Sequence, residues 1–248
     1  MTSPSNIHDI AIDKHGRIIF VNTLFCCLAT VSHTHSFAPV WKPKHISKLA
    51  AEDRCHLNGM AMENGSPKYV TSIGLSDAAD GWREHRQDGG VILDVESSEV
   101  VLSGLSMPHL PRMYRGKLYV LNSGTGYFGS VDVKSGKFEP IAFCPGYMRG
   151  LAFINDFAII GMSKCRENRT FSGLDLDDNL TKRKVEARCG VFVVDLNTGD
   201  LVQWVRLEGA VWEMYDVSVI PGVTRPMALG LRQEAIRRTI SIGDAVKM

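Results

Sequence analysis

An all-β fold of repeated four-stranded antiparallel units is what this sequence predicts, and three observations predict it. Helical periodicity is scarce along the 248 residues, while short alternating or β-branched runs bounded by Gly, Pro, Asn and Asp recur throughout. Three segments, "GGVILDVESSEVV", "FGSVDVKSGKFEPI" and "CGVFVVDLNTGDLVQWV", share one design: a small-residue entry, an apolar strand ending in Asp94, Asp132 or Asp195, a polar turn, and a second strand. A carboxylate in that place can bond the turn backbone, and glycine supplies a positive φ, so each segment reads as a hairpin. Further hairpins lie ahead of these, in "HDIAIDKHGRIIFVN", "HLNGMAMENGSPKYVTS", "HLPRMYRGKLYVLNS", "RGLAFINDFAIIGMS" and "DVSVIPGVTRPMALG".

Two consecutive hairpins make a four-stranded unit of roughly forty residues, the period of a β-propeller blade. The chain is therefore read as a single propeller domain over residues 1–248, with blades starting near residues 8, 56, 109, 147 and 215. Four units are complete, and the fifth keeps only its first hairpin. Either the ring closes at about five blades with a degenerate last one, or the chain is a partial ring. An open sheet edge is a liability, so a partial ring is expected either to form a homo-oligomer through that edge or to need missing sequence. The tail "RQEAIRRTISIGDAVKM" reads as a short helix followed by a terminal strand.

Composition narrows the function. With 28 Lys and Arg against 27 Asp and Glu, the chain offers no general electrostatic attraction for nucleic acid or an anionic membrane. No apolar run approaches the roughly 20 residues of a membrane span. The N-terminus lacks a basic stretch followed by an apolar one, so no signal peptide is expected. The six cysteines form no CxxC pair and read as reduced, mostly buried thiols, which implies a cytoplasmic protein. No GxGxxG opens a helix and no CxxCH is present, so an oxidoreductase is poorly supported. The "NRT" at residues 168–170 and the "KRK" at 182–184 read as loop sequence rather than as a sugar acceptor or a targeting signal.

The repeat places polar residues together. The first strand of each blade lines the channel, and all such strands begin at one face, the top. Their opening residues are Asp9, Asn58, His109, Arg149 and Asp216. The second strands end at the same face with Asn22, Thr71, Ser72, Asn122, Ser123, Ser163, Lys164 and Arg232, while His8, His56, Tyr147 and Tyr215 crowd the opening. Solvated strand ends are ordinarily polar, so any one of these fits a structural role. Their joint use of His, Asp, Arg and Asn at the mouth of a channel is the pattern of a binding site. Residues 76–90, "SDAADGWREHRQDGG", and residues 164–190 are long loops emerging on that face. Trp82 or Arg83 is expected to pack over the mouth as a lid, the alternative being a structural cap of the second blade. On the lid reading, deleting residues 80–87 would impair ligand binding more than folding.

The runs "EDRCHLNGMAMENGSPKYVTSIG", "GWREHRQDGGVILDVESSEVV", "GLSMPHLPRMYRGKLYVLNSGTGYFGSVDVKSGKFEPIA", "PGYMRGLAF" and "RCGVFVVDLNTGDLV" resemble an uncharacterised bacterial family of propeller-like proteins, domain of unknown function 4915. The resemblance covers nearly the whole chain. It implies a propeller fold, and it implies extra sequence, and so further blades, ahead of the point matching "HDIA". It implies no reaction. The strand opening Asn58–Gly59–Met60–Ala61 is also distantly similar to lactonase and strictosidine-synthase-like propellers, in which an Asn approaches a central divalent metal. That similarity implies a metal near Asn58 and Asp216, with Asn122 as a neighbour. Asp9, His109 and Arg149 depart from that ligand set, and a guanidinium beside a cation requires an anion between them.

Two functions are therefore expected to compete. In the first, an enzyme of hydrolase, lactonase or lyase type acts on a small anionic or carbonyl-bearing molecule. His56 or His109 serves as acid or base, Arg149 and Arg112 hold the anion, and Asp9, Trp82, Arg83, Asn122 and Lys164 line the site. In the second, the same face is a recognition module for a peptide or protein, with Trp82, Arg83, Tyr127 and Trp212 as anchors.

Overall fold

The computed structural model describes residues 5–164, 172–230 and 232–240. The chain divides into two compact units, Met1–Ser218 and Val219–Met248. The first holds four antiparallel four-stranded sheets, each in simple sequential order. Blade one is β1 (Ile7–Ile12), β2 (Ile18–Asn22), β3 (Cys27–Thr30) and β4 (Ala38–Trp41). Blade two is β5 (Leu57–Glu63), β6 (Ser66–Ser72), β7 (Gly90–Asp94) and β8 (Val100–Leu105). Blade three is β9 (Pro108–Tyr114), β10 (Lys117–Asn122), β11 (Tyr127–Asp132) and β12 (Lys137–Phe143). Blade four is β13 (Tyr147–Ile154), β14 (Phe157–Ser163), β15 (Gly190–Asp195) and β16 (Leu201–Arg206). This is the predicted propeller-type architecture, and its sheets pair only within themselves.

Blades stack through apolar residues that alternate along each strand. Ile19, Val21 and Leu28 of blade one meet Leu57, Met60, Val70, Val91 and Leu93 of blade two. Ala61, Ile92, Leu102 and Leu105 of blade two meet Leu118, Val120 and Val131 of blade three. Tyr119, Leu121 and Phe128 of blade three meet Leu151, Ile160, Phe192 and Val194 of blade four. Period-two alternation thus buries both faces of each inner sheet. The inner strands β1, β5, β9 and β13 contact one another in that order.

A fifth hairpin does not form. Among the described residues no strand follows β16, and 213–220 carry no regular structure. The physical reason lies partly in composition, since Pro221 and Pro226 interrupt that run and remove ladder donors. The segment still occupies the side of β13. The main chain around Asp216 and Val217 lies so close to Gly150 that a Cβ there would sit 2.6 Å from the Val217 nitrogen. Among the described residues of the second unit a short helix, Glu234–Arg237, matches the helix expected in the tail, and the terminal strand expected after it lies outside the described residues. No described helix is long and apolar enough to cross a membrane. The five described cysteines, Cys26, Cys27, Cys55, Cys144 and Cys189, are buried free thiols. Cys165 and the "NRT" run lie outside the described residues.

The long loops have their own core. Residues 76–90 contain a 3-10 turn, Gly81–His85, and the loop of blade four contains a helix, α1 (Asp175–Arg183). Trp82 from the first loop, with Ile73 just after β6, packs with Leu174, Leu176 and Leu180 from the second, and with Met107 and Tyr147. Gln87 Nε2 donates to the Gly173 carbonyl at 2.7 Å, and the Leu176 amide donates to the Gly124 carbonyl at 2.8 Å. The two insertions and the loop joining β10 to β11 are therefore sewn together.

Candidate functional site

The site begins with a short run that the repeat alone would not single out, "EDRCH" at residues 52–56. Asp53 and His56 both adopt positive φ, at 43° and 51°, which bends the entry to β5 back on itself. That bend is held from outside. The Glu52 and Asp53 amides donate to the Leu24 carbonyl, and the Cys55 amide donates to Cys26 Sγ at 3.4 Å. Arg54, its side chain 8% exposed, pairs with Glu52 and Asp77 at 2.6 Å each, which pins the start of the Trp82 loop to the same bend.

The bend brings Asp53 Oδ2 to 2.8 Å from His56 Nδ1 and 3.1 Å from the indole Nε1 of Trp82. A carboxylate only accepts, so Nδ1 carries the proton and Nε2 is left as the basic nitrogen. The Trp82 ring lies against the imidazole with centroids 4.2 Å apart, and the Arg83 guanidinium covers the Trp82 ring at 4.5 Å. Asp53 Oδ1 is buried with no hydrogen-bond partner among the described residues. The sequence reading missed Asp53. The signal was available in the Asp-x-x-His spacing immediately before a channel strand.

Two more imidazoles complete the cluster. The His8 ring sits edge-on to His56, centroids 4.9 Å apart. His8 Nδ1 lies 2.8 Å from the Asn6 carbonyl and 2.8 Å from Thr23 Oγ1, whose own proton goes to the Leu57 carbonyl at 2.6 Å. Burial first, then the neighbouring His56 and Arg149, lower the His8 pKa to about 4. His109 donates from Nδ1 to the Met107 carbonyl at 2.8 Å and accepts from the Asn58 amide at Nε2, 3.1 Å away. Burial, and then the Arg149 charge, push its pKa well below the usual value. Both rings are neutral at physiological pH. Because the unfolded chain takes up these protons near pH 6.5, the stability they confer is present above that pH and lost as pH falls toward about 4. Urea midpoints are expected to drop steadily between neutral pH and pH 4. In His8→Gln that drop should be shallower, and an unchanged slope would contradict the assignment.

Arg149 supplies the positive charge. Its guanidinium lies over the Tyr215 ring at 4.4 Å, and Tyr215 donates its hydroxyl proton to the Ile7 carbonyl at 2.7 Å. Arg149 has no carboxylate partner among the described residues. Lys164 is placed separately, over the Trp212 ring at 5.0 Å, with its amide bonded to the Trp212 carbonyl.

Other expected site residues serve the scaffold. Asp9 and Arg112 form a two-pronged ion pair, Nη1 to Oδ2 at 2.7 Å and Nη2 to Oδ1 at 2.9 Å. Asp9 Oδ2 also accepts from the Met60 amide, and Arg112 Nη1 donates to the Met60 carbonyl. The pair bolts β1, β5 and β9 together and leaves neither group a free face for an anion. Asn122 Oδ1 accepts from the Ser106 amide at 2.8 Å, which ties β10 to the approach to β9. Arg83 is engaged with Asp80 and Trp82.

Asn58 and Asp216, the residues linked to a metal by resemblance, each make a local hydrogen bond. Asn58 spends its amide on His109, and Asp216 accepts from the Val217 amide at 2.8 Å. Partial desolvation raises the Asp216 pKa above the usual carboxylate value. Among the described residues no three His, Cys, Asp or Glu side chains are grouped to hold a metal ion.

Several solved structures are similar to the chain at low identity. A protein of unknown function from Bacteroides caccae is 13% identical over 80% of this chain and 60% of its own, with a TM-score of 0.49. Virginiamycin B lyase from Staphylococcus aureus is 12% identical over 64% of this chain and 49% of its own, TM-score 0.41. The dihydro-heme d1 dehydrogenase NirN is 12% identical over 79% of this chain and 36% of its own, TM-score 0.44. The chain thus spans three fifths or less of each of these three structures. No curated protein matches the chain. The sequence profile of the domain of unknown function DUF4915 matches residues 1–229, and the chain belongs to that family.

Proposed function

We propose that this protein is an enzyme acting on a small anionic, carbonyl-bearing molecule by acid–base chemistry at the histidine cluster. One observation carries the reading: a carboxylate-held imidazole, His56, stands beside two neutral imidazoles in the field of Arg149, a cation with no acidic partner among the described residues. A guanidinium in such surroundings suits a carboxylate or an oxyanion. His56 Nε2 is the proton acceptor, and Asp53 fixes its tautomer and stabilises the imidazolium that forms. His56 keeps 14% of its side chain exposed, enough to meet a substrate, whereas His109 is buried and its Nε2 already accepts from Asn58. The base assignment therefore moves to His56, and His109 becomes a shaping residue. The reactions this arrangement supports are hydrolysis of an ester or lactone, and elimination from a carbon beside a carboxylate.

The test is a panel of small lactones, esters and hydroxy-carboxylates, followed first by thermal shift and then by turnover. Wild-type protein is expected to be stabilised by a carboxylate, with the effect lost in Arg149→Ala. His56→Ala is expected to lower kcat/KM by about 10²–10⁴-fold on the responding compound. Full turnover in His56→Ala would remove the proposed base.

A second reading rests on a separate observation. Trp212 and Tyr215 are both more than half exposed, and each lies beneath a cation, Lys164 or Arg149. Exposed aromatics with basic partners are the anchors of a recognition face for an acidic peptide. Loss of peptide binding in Trp212→Ala, with no response to the small-molecule panel, would favour this reading.

A further inference from the structure

The five described cysteines are free thiols, and the fold brings two of them together. Cys26 closes the turn between β2 and β3, and Cys55 lies in the bend between Arg54 and His56, 29 positions further on. Both belong to the core shared by blades one and two. The Cys55 amide donates to Cys26 Sγ at 3.4 Å, and the two thiols share a hydrogen bond. Backbone hydrogen bonds fix both partners. The Cys26 amide donates to the Thr23 carbonyl at 3.1 Å, while the Cys55 carbonyl accepts from Ser72 Oγ at 2.8 Å and from the Ile73 amide at 3.2 Å. The other described cysteines stand apart. Cys27 packs in a different cluster, with Phe20 and Ala29, and Cys144 packs with Leu121 and Phe128 in the core of blades three and four. Cys189 precedes β15 in blade four, where its carbonyl accepts from the Leu207 amide.

We infer that Cys26 and Cys55 are a redox-active pair, in which hydrogen peroxide closes a disulfide that clamps the bend carrying Asp53 and His56 to the turn carrying Thr23. Contact is the first support. Thiols that already touch reach bonding geometry by side-chain rotation, without moving the backbone. Activation is the second. Hydrogen bonds from the Cys55 thiol and amide hold the Cys26 pKa below the ordinary thiol value against the opposing effect of burial, whereas burial pushes the adjacent Cys27 up to about 12. The sulfur with the lower pKa is the nucleophile. Access is the third. Cys26 is 1% and Cys55 0% exposed, which excludes a bulky disulfide and selects a small oxidant. Cys26 attacks the peroxide, the O–O bond breaks, and a sulfenic acid and one water form. Cys55 then attacks that sulfur, the S–S bond forms, and a second water leaves. The pair gives up two electrons and two protons, and one peroxide becomes two waters. Thr23 Oγ1 lies 2.8 Å from His8 Nδ1, so the bridge joins the supports of two neighbouring imidazoles, His8 and His56. The chemistry is the same whatever reaction the site performs.

Peroxide titration of the native wild-type chain tests this, followed by thiol alkylation under denaturing conditions and peptide mapping without reductant. Met227, 93% exposed, reports the dose through its conversion to the sulfoxide. The expected product is a peptide pair linked through Cys26 and Cys55, two hydrogens lighter than its parts, with Cys27, Cys144 and Cys189 still alkylated. The bridge closes a loop of about 30 residues and is expected to raise the melting temperature by about 5–10 °C, reversed by dithiothreitol. In Cys26→Ala, peroxide is expected to leave both the Cys55 thiol and that variant's own melting temperature unchanged. In Cys27→Ala the bridge is expected to form as in wild type. If Met227 is oxidised while Cys26 and Cys55 remain alkylatable in wild type, the pair is inert and the inference fails. A bridge through any other cysteine would also overturn it, and a bridge between Cys26 and Cys55 that lowers the melting temperature would overturn the clamp.

Discussion

Arg112→Met is expected to destabilise the protein by about 3–5 kcal/mol, because it strands a buried carboxylate. Asp9 has a side chain only 2% exposed, and Arg112 meets both of its oxygens. After the substitution Asp9 keeps two backbone donors, from Ile10 and Met60, and loses its counter-charge. Met conserves much of the packing volume, so the loss reports the charge rather than a cavity. Urea unfolding at neutral pH measures it. The double variant Asp9→Asn/Arg112→Met is expected to recover part of the loss, since it removes the stranded charge as well. A loss below about 1 kcal/mol in the single variant would mean that the pair behaves as an exposed one. The consequence reaches the site, because the pair joins the strands that carry Asn58 and His109.

Trp82→Ala is expected to cost a further large amount, about 3–5 kcal/mol for removing a fully buried indole. Trp82 is 2% exposed and sits in the core shared by the two long loops. Its loss also removes one donor from Asp53 and the surface against which His56 rests. Trp82→Phe separates these effects. It keeps most of the packing, leaves Asp53 short of a hydrogen bond, and is expected to cost about 1–3 kcal/mol. It should also displace the His56 ring, which the imidazole proton chemical shifts in an NMR spectrum would register. The expected order for deletion of residues 80–87 now reverses. The fold should suffer first, because the loop carries a buried side chain and its start is pinned to the site through Arg54 and Asp77. If the deletion variant melts like wild type, the shared loop core contributes little.

Much of this was legible in the residues. The blade starts near 8, 56, 109 and 147 fall within a residue of β1, β5, β9 and β13, because alternation and turn chemistry are local properties of the chain. The gathering of polar residues at one rim followed from the same periodicity. Which of those residues face a ligand and which face each other did not follow. Asp9 and Arg112 lie 103 positions apart, and Asn58 and His109 lie 51 apart. Nothing in a linear pattern pairs such residues, since pairing depends on how neighbouring blades are rotated and on rotamers set by packing. Trp82 shows the same limit. A tryptophan in a polar loop reads equally as a lid or as a cap, and only the arrival of Leu174, Leu176 and Leu180 from a loop ninety positions away buries it.

By itself, then, the sequence determined the class of fold, the number of complete blades and the end of the channel where polar chemistry gathers, since each rests on periodicities of two to about forty residues. The tertiary structure alone decided that His56 is the carboxylate-held imidazole and that Asp9 and Arg112 hold the scaffold. Those facts depend on distances between side chains far apart in the chain, and burial, charge and hydrogen bonding act through those distances rather than through order along the chain.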